Sequence, residues 1–338
     1  MAILFKAHSL PKSTKILLSM VTSVLLLIFL IRFNKYRNQE VKEDGTTLKF
    51  KEINVSFLQL VPRFTIYYPW VLATSIFAES TIFSFIPSFY VLLVSSRYLE
   101  KFWGYKEVLK FVFIVGTISN LLTVLITIVF NLIRGDVKGM DRPLGGGISY
   151  YFGFLVSLKQ LIPEHNIILF KGLLNFRVKQ LPFILIGLVS CWSLLISRSI
   201  YPAVPAINST LIAFNYLRFY QAFWSDPLLP ITTANGDNSN SSFIRGDASD
   251  TFRLVEFFPN ILKPYLSGLF EKTYDLSVFL GIVTPFNDDI IEQSNLRTQR
   301  RLEQASQSQK SVANSVAERR RQVALQVIED RINKETNK

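Results

Sequence analysis

Along the chain, apolar residues gather in unbroken blocks bounded by charged ones. Ile16–Ile31 carries no charge between Lys15 and Arg32, and Ser80–Ser96 carries none between Glu79 and Arg97. Phe111–Ile133 lies between Lys110 and Arg134, and Pro143–Leu158 between Arg142 and Lys159. Gln180–Ser197 and Ser199–Leu217 are parted by Arg198. Each block approaches or reaches the roughly 20 residues a bilayer-spanning helix needs, because flanking Lys and Arg side chains reach back to the interface. The pattern predicts six spans, at about 16–33, 79–98, 110–133, 143–162, 180–198 and 200–219. Together they form an all-α membrane bundle over residues 16–224.

A seventh apolar window, Phe64–Ala78, is shorter, holds Pro69 and several aromatics, and reads as an interfacial or re-entrant segment. The first window has the basic start of a secretory signal peptide. However, Ile28-Phe29-Leu30-Ile31-Arg32 offers no small-residue cleavage site, so a retained helix is expected after a short N-terminus of residues 1–15. Six spans return both termini to one side. Lys6, Lys12 and Lys15 before the first span, Arg97, Lys101 and Lys106 after the second, and Lys171, Arg177 and Lys179 before the fifth place that side in the cytosol. The long loop Asn34–Arg63 is also basic, and long loops follow the charge rule less strictly.

Beyond the sixth span the pattern dissolves, and residues 225–310 read as an irregular cytosolic segment. Thr232–Ser242 is a flexible Asn/Ser/Gly loop, Phe252–Phe270 is apolar but interrupted by Pro259 and Pro264, and Gln293–Lys310 is polar and mobile. Val316, Val323, Val327 and Ile332 recur at near-helical spacing, which predicts a basic amphipathic helix over 311–338.

Composition agrees with a bilayer. Of 338 residues, 49% are hydrophobic and 14% aromatic, and the net charge is +12. Cys191, the single cysteine, lies inside an apolar run and reads as a buried, inert thiol, so no intrachain disulfide exists. With only His8 and His165 besides, no His/Cys metal cluster and no cofactor site is expected.

Candidate chemistry concentrates in Gly145-Gly146-Gly147-Ile148-Ser149-Tyr150-Tyr151-Phe152-Gly153. Small residues let membrane helices approach closely, which is reason enough for the glycines. The stretch also resembles the Gly-x-Ser-Gly pattern of rhomboid intramembrane serine proteases. Aligning Gly153 with the later rhomboid glycine puts Gly146 on the first glycine, Ile148 on the nucleophile position and Ser149 one residue past it. One residue is about 100° of helix rotation, so a displaced serine faces elsewhere. A serine nucleophile also needs a base, and the window Ser199–Leu217 contains no His, Lys or Asp. No catalytic residue is therefore assigned, and the chain is not expected to be an enzyme.

Other rhomboid features persist. Tyr68-Pro69-Trp70-Val71 resembles the Trp-Arg motif of the first rhomboid loop, with Val71 replacing arginine. Leu99-Glu100-Lys101-Phe102-Trp103-Gly104 resembles the stretch after the second span. By charge and amphipathicity alone, Glu100 pairs locally with Lys101 or Arg97 and Trp103 anchors at the interface.

Four stretches carry a closer resemblance, to the transmembrane protein 115 family of rhomboid-like proteins. They are Leu155–Gln160, Tyr216–Gln221, Phe257-Phe258-Pro259-Asn260-Ile261-Leu262-Lys263-Pro264 and Ala317–Leu325. The resemblance spans roughly residues 60–334 and implies a six-transmembrane, rhomboid-like helical bundle with a cytosolic C-terminal extension. It further implies a catalytically dead Golgi membrane protein in retrograde Golgi-to-endoplasmic-reticulum transport, whose tail meets the conserved oligomeric Golgi tethering complex.

From Arg297 to Lys338 there are ten Lys/Arg against five Asp/Glu. Interleaved acids and upstream spans argue for a solvated face, a protein partner or anionic lipid rather than nucleic acid. Arg319, Arg320, Arg321, Gln322 and Leu325 are the candidate partner-binding residues. Asn54-Val55-Ser56 and Asn240-Ser241-Ser242 are glycosylation sequons, and only Asn54 would face the lumen in this topology. The expected partners are membrane lipid, the tethering complex, transmembrane clients and a second copy of the chain. A residual intramembrane protease and a small-molecule transporter are the competing readings, the latter weakened by the scarcity of ionisable residues within the spans.

Overall fold

A computed structural model describes residues 10–38, 50, 53–164, 166–169, 174–223 and 244–303, and in the tail 306–307, 318, 321–322 and 325–326. All six apolar windows are helical. The helices are α1 (Lys12–Arg37), α3 (Ile82–Trp103), α4 (Tyr105–Arg134), α5 (Ile148–Leu161), α6 (Leu181–Trp192) and α7 (Ala203–Asn215). A one-turn helix, α2 (Val71–Thr74), precedes α3. Among the described residues, four helices are long and apolar enough to cross a membrane: Lys12–Arg37, Ile82–Trp103, Tyr105–Arg134 and Val178–Ser197. The other two, α5 and α7, have 14 and 13 α-helical residues, and α7 is prolonged by a π-helical turn over Tyr216–Tyr220.

Local chemistry sets the helix ends. Thr81 and Ser84 form a reciprocal capping box at the start of α3. Gly104, at positive φ with extended ψ, separates α3 from α4, and left-handed Gly135 terminates α4. Positive φ at Gly145 and Gly146 delays the start of α5 to Ile148, five residues inside its apolar window.

The helices alternate in direction, giving the bundle a Gly145 end and a Lys159 end. Its core joins Leu17 and Val21 of α1, Leu92 and Leu99 of α3, Phe111 and Val115 of α4, Phe154 of α5 and Leu217 after α7. Gly153 lets α5 approach its neighbours, since a Cβ there would sit 3.1 Å from Val115 and 3.4 Å from Ala213. At the Gly145 end the window Phe64–Ala78 folds back on the bundle, with Val71 packed against Val124 and Leu144.

Several expectations are corrected. Residues 225–310 are not irregular throughout: α8 (Lys263–Phe279) and a helical stretch at 288–303 follow the second proline. Pro264 starts α8 rather than breaking a helix, because a proline in the first turn forfeits only an N–H that has no intrahelical partner. Phe252 and Phe257 are buried in the main core against Phe214, at ring separations of 5.6 and 5.7 Å. Burying such a ring is worth about 1.5–3 kcal/mol, enough to order a segment with little periodicity of its own.

The polar stretch from Gln293 is likewise held, as Ser294 and Thr298 are buried and Ser294 accepts the Ala248 N–H at 3.3 Å. Cys191 is exposed on the outside of α6, not buried, because α6 packs on the bundle by one edge only. Residues 165, 224–243, 319–320 and most of the remaining tail lie outside the described residues, and with them His8, His165, Thr232–Ser242 and Asn240. Two short antiparallel pairings complete the chain, Asn166–Leu169 with Leu174–Arg177 and Ala222–Phe223 with Ile244–Arg245.

Candidate functional site

At the Gly145 end, the glycine-rich stretch enters α5 through two residues in the left-handed region, Gly145 (φ 102°) and Gly146 (φ 86°). The first N–H groups of a helix have no intrahelical partner and carry the positive end of its dipole. Here the Gly147 N–H donates to Glu79 Oε1 at 2.8 Å. Glu79 precedes α3, is buried, and also accepts from the Ser88 hydroxyl, which in turn meets the Tyr151 hydroxyl. A Cβ on Gly146 would lie 2.9 Å from Glu79 Oε2, so glycine is needed there for space as well as conformation. The Gly146 N–H donates to the Ser75 carbonyl at 2.9 Å, and the Tyr201 hydroxyl donates to the Gly145 carbonyl at 2.8 Å.

Ile148, on the aligned nucleophile position, is the first residue of α5 and is half-buried. Ser149 is wholly buried and donates to the Gly146 carbonyl at 3.0 Å. Across from α5, Ser209 of α7 accepts the Gly153 N–H at 3.0 Å, while Asn208 donates to Thr123 at 3.3 Å. The polar group that α7 presents to α5 here is thus the Ser209 hydroxyl, while the Asn208 amide faces α4. Chemically, the arrangement holds a helix start closed with the chain's own carboxylate, and among the described residues the Ser149 hydroxyl is spent on the Gly146 carbonyl.

At the Lys159 end a second cluster joins the bundle to the tail. Lys159 is buried with its ammonium 3.1 Å from the centre of the Phe257 ring, and that ammonium has no hydrogen-bond partner among the described residues. A ring face compensates a desolvated cation by about 2 kcal/mol. Gln160 donates to Asp247 at 2.9 Å and to Gln221 at 3.3 Å, and Arg218 donates to the carbonyls of Asp247 and Ser249, both at 2.7 Å. Asp247 also favours the charged form of Arg301, opposing the burial that pushes its guanidinium pKa down.

The chain from residue 15 to 334 matches the family model described as Eukaryotic integral membrane protein (DUF1751). The chain belongs to this family. Over 333 residues it is 30% identical to the Transmembrane protein 115 homolog of Saccharomyces cerevisiae, covering 96% of this chain and 94% of that protein. It is 27% identical over 279 residues to Transmembrane protein 115 of Homo sapiens, covering 78% and 67% of the two chains. Rhomboid-like protein 19 of Arabidopsis thaliana is 29% identical over 224 residues, 66% of each chain. No solved structure matches.

Within this family member, three of the four stretches that carried the resemblance converge at the Lys159 end. Lys159 and Gln160 close α5, Arg218 and Gln221 follow α7, and Phe257 leads into α8. The fourth stretch falls mostly outside the described residues. Arg321, Gln322 and Leu325 are helical and exposed, and Arg319 and Arg320 lie outside the described residues. The Asn54 side chain is half-buried and donates to the Asp141 carbonyl at 3.1 Å.

Two local readings are corrected. Glu100 does not pair with Lys101 or Arg97. It accepts the N–H groups of Lys12 and Ser13 at 3.1 and 2.9 Å, capping α1, where a carboxylate meets the helix dipole as well as two orphan donors. Trp103 turns inward against the Phe111 ring at 5.3 Å with its indole N–H enclosed, so it packs on the bundle instead of anchoring at an interface.

Glu79 is the residue that sequence reasoning missed. Its one signal was a lone carboxylate at the edge of an apolar window, in a chain whose glycine-rich helix start has no side chain of its own to cap it.

Proposed function

We propose that the chain is a non-catalytic, six-span, rhomboid-like membrane protein of the Golgi. It would act as a scaffold in retrograde Golgi-to-endoplasmic-reticulum transport, with both termini in the cytosol. One observation carries the non-catalytic reading: buried Ser149 donates to the Gly146 carbonyl while α7 presents Asn208 and Ser209 and no base. The role in transport is what the resemblance to the transmembrane protein 115 family implies, and similarity to Rhomboid-like protein 19 supports the rhomboid-like bundle. In the six-span reading α5 and α7 are the two spans that fall short of the four long apolar stretches, of which Val178–Ser197 includes α6.

The orientation rests on the short connections at the Lys159 end, which carry Arg97, Lys101, Lys106, Lys110, Arg177 and Lys179. Asn54 then faces the lumen, and a glycan on Asn240 would invert the topology. The tail at the cytosolic end would recruit the conserved oligomeric Golgi complex through Arg319–Leu325, while the bundle would hold transmembrane clients. A serine-directed fluorophosphonate probe tests the central point. The purified chain and Ser149→Ala should both stay unlabelled, and labelling that disappears in Ser149→Ala would restore a protease.

A further inference from the structure

Near the Gly145 end, a cavity of about 350 Å³ opens between α1, the start of α3 and the approach to α5. Its walls include Arg32, Glu79, Ser80, Thr81, Ser84 and Tyr201. Arg32 and Glu79 are 6% and 5% exposed, and neither takes part in an ion pair among the described residues. The guanidinium donates only to neutral oxygens: the Ser80 carbonyl at 2.7 Å, the Ile53 carbonyl at 3.0 Å and Gln59 Oε1 at 3.3 Å. These three bonds leave two of its five N–H donors unspent. Glu79 accepts both of its hydrogen bonds on Oε1, and Oε2 has no hydrogen-bond partner among the described residues.

Two opposite charges thus border one cavity without touching each other. A buried ion costs several kcal/mol unless it is compensated. An anionic occupant would satisfy Arg32 and leave Glu79 bare; a cationic one would do the reverse. A zwitterion serves both.

The depth of the cavity narrows the choice. The apolar run of α1 stops at Arg32 and that of α3 begins after Glu79, so the cavity lies where spans meet headgroups. Outside it, Leu30 and Phe33 of α1 and Ile82, Phe83 and Ile86 of α3 are exposed, Phe83 to 88%. Such a surface suits acyl chains, while the cavity volume, near the low end for ligand pockets, admits a headgroup alone.

We propose that this cavity binds the phosphoethanolamine headgroup of a membrane phospholipid, with its phosphate on Arg32 and its ammonium on Glu79. A primary ammonium offers three N–H donors, which suit Oε2 of Glu79 and the remaining lone pair of the Thr81 hydroxyl, the Ser84 hydroxyl being taken up within the capping box. A choline trimethylammonium offers none, and a glycerol headgroup leaves Glu79 without a cation. The assignment requires only that the chain sit in a membrane and is independent of the absence of catalysis.

Native mass spectrometry of the full-length, detergent-purified chain tests it, using phosphatidylethanolamine, phosphatidylcholine and phosphatidylglycerol of matched acyl chains. The expected result is preferential retention of phosphatidylethanolamine, lost in Arg32→Gln and Glu79→Gln. Both residues also hold structure, so Ser84→Leu provides the second arm, filling the cavity without removing either charge and forfeiting only the Ser84 half of the α3 capping box. Its preference should be lost while monodispersity and thermal midpoint show a folded protein. Equal retention of the three lipids, or an unchanged preference in folded Ser84→Leu, would overturn the proposal. Retention of soluble phosphoethanolamine with no retention of phosphatidylethanolamine would overturn the assignment to a lipid.

Discussion

Glu79 Oε1 accepts the backbone N–H of Gly147 at 2.8 Å, across 68 residues of chain. The bond ties the loop before α3 to the start of α5 and places an anion at the positive end of a helix dipole. A free helix start bordered by glycines is the usual cradle for an anionic group, and this one is filled from within.

Removing that carboxylate therefore loosens α5. Glu79→Ala leaves the Gly147 N–H buried without a partner, at a cost of about 1–3 kcal/mol. Glu79→Gln keeps an acceptor and loses only the charge term, about 0.3–1 kcal/mol. Thermal unfolding in detergent should rank wild type above Gln above Ala; an Ala variant melting with wild type would show that the bond holds nothing.

Gly146 and Ser149 should respond in opposite measure. A non-glycine residue at φ 86° costs about 1–2 kcal/mol in backbone conformation, and a Cβ at Gly146 also meets Glu79 Oε2 at 2.9 Å. Ser149→Ala forfeits one hydrogen bond to a neighbouring carbonyl, about 1 kcal/mol or less. Gly146→Ala should thus lower the folded yield clearly more than Ser149→Ala, measured by size-exclusion profile at equal expression.

The tail should detach through Phe257. Phe257→Ala opens a cavity worth about 3–5 kcal/mol beside Phe214 and Phe252 and strips the ring from Lys159. Limited trypsin digestion should then cut within 244–303, at Arg253, while the helices of the bundle stay intact. Protection equal to wild type would mean that the polar bonds of Gln160, Arg218 and Asp247 hold the tail unaided.

Deleting residues 312–338 should leave the bundle and the docked segment 244–303 intact, since among the described residues the last buried contacts of the tail are at Thr298 and Arg301. The truncated protein should reach the Golgi yet lose co-purification with the tethering complex. Undiminished co-purification would move the contact to α8, whose Tyr265, Leu269, Leu276 and Phe279 are exposed.

The helices of the bundle were legible in the sequence because a bilayer demands long apolar runs, and charged residues mark where each run ends. Helix presence follows from that local count. The number that cross outright does not, because α5 is shortened by left-handed Gly145 and Gly146 and α7 begins only after Pro202. That Ser199–Leu217 contains no His, Lys or Asp is equally a matter of which residue types a window contains.

Tertiary structure decided the rest, where the partners are far apart in the chain. Glu79 caps α5, and Glu100 caps α1 across 88 residues, although each carboxylate alone reads as an edge charge. Phe252 and Phe257 carry no period, yet they order the tail by entering the space beside Phe214. Cys191 sits outside because the rotation of α6 is set by its neighbours. Apolar length is a property of a segment, whereas caps, rotations and docked aromatics are properties of pairs that only the fold brings within a few ångströms.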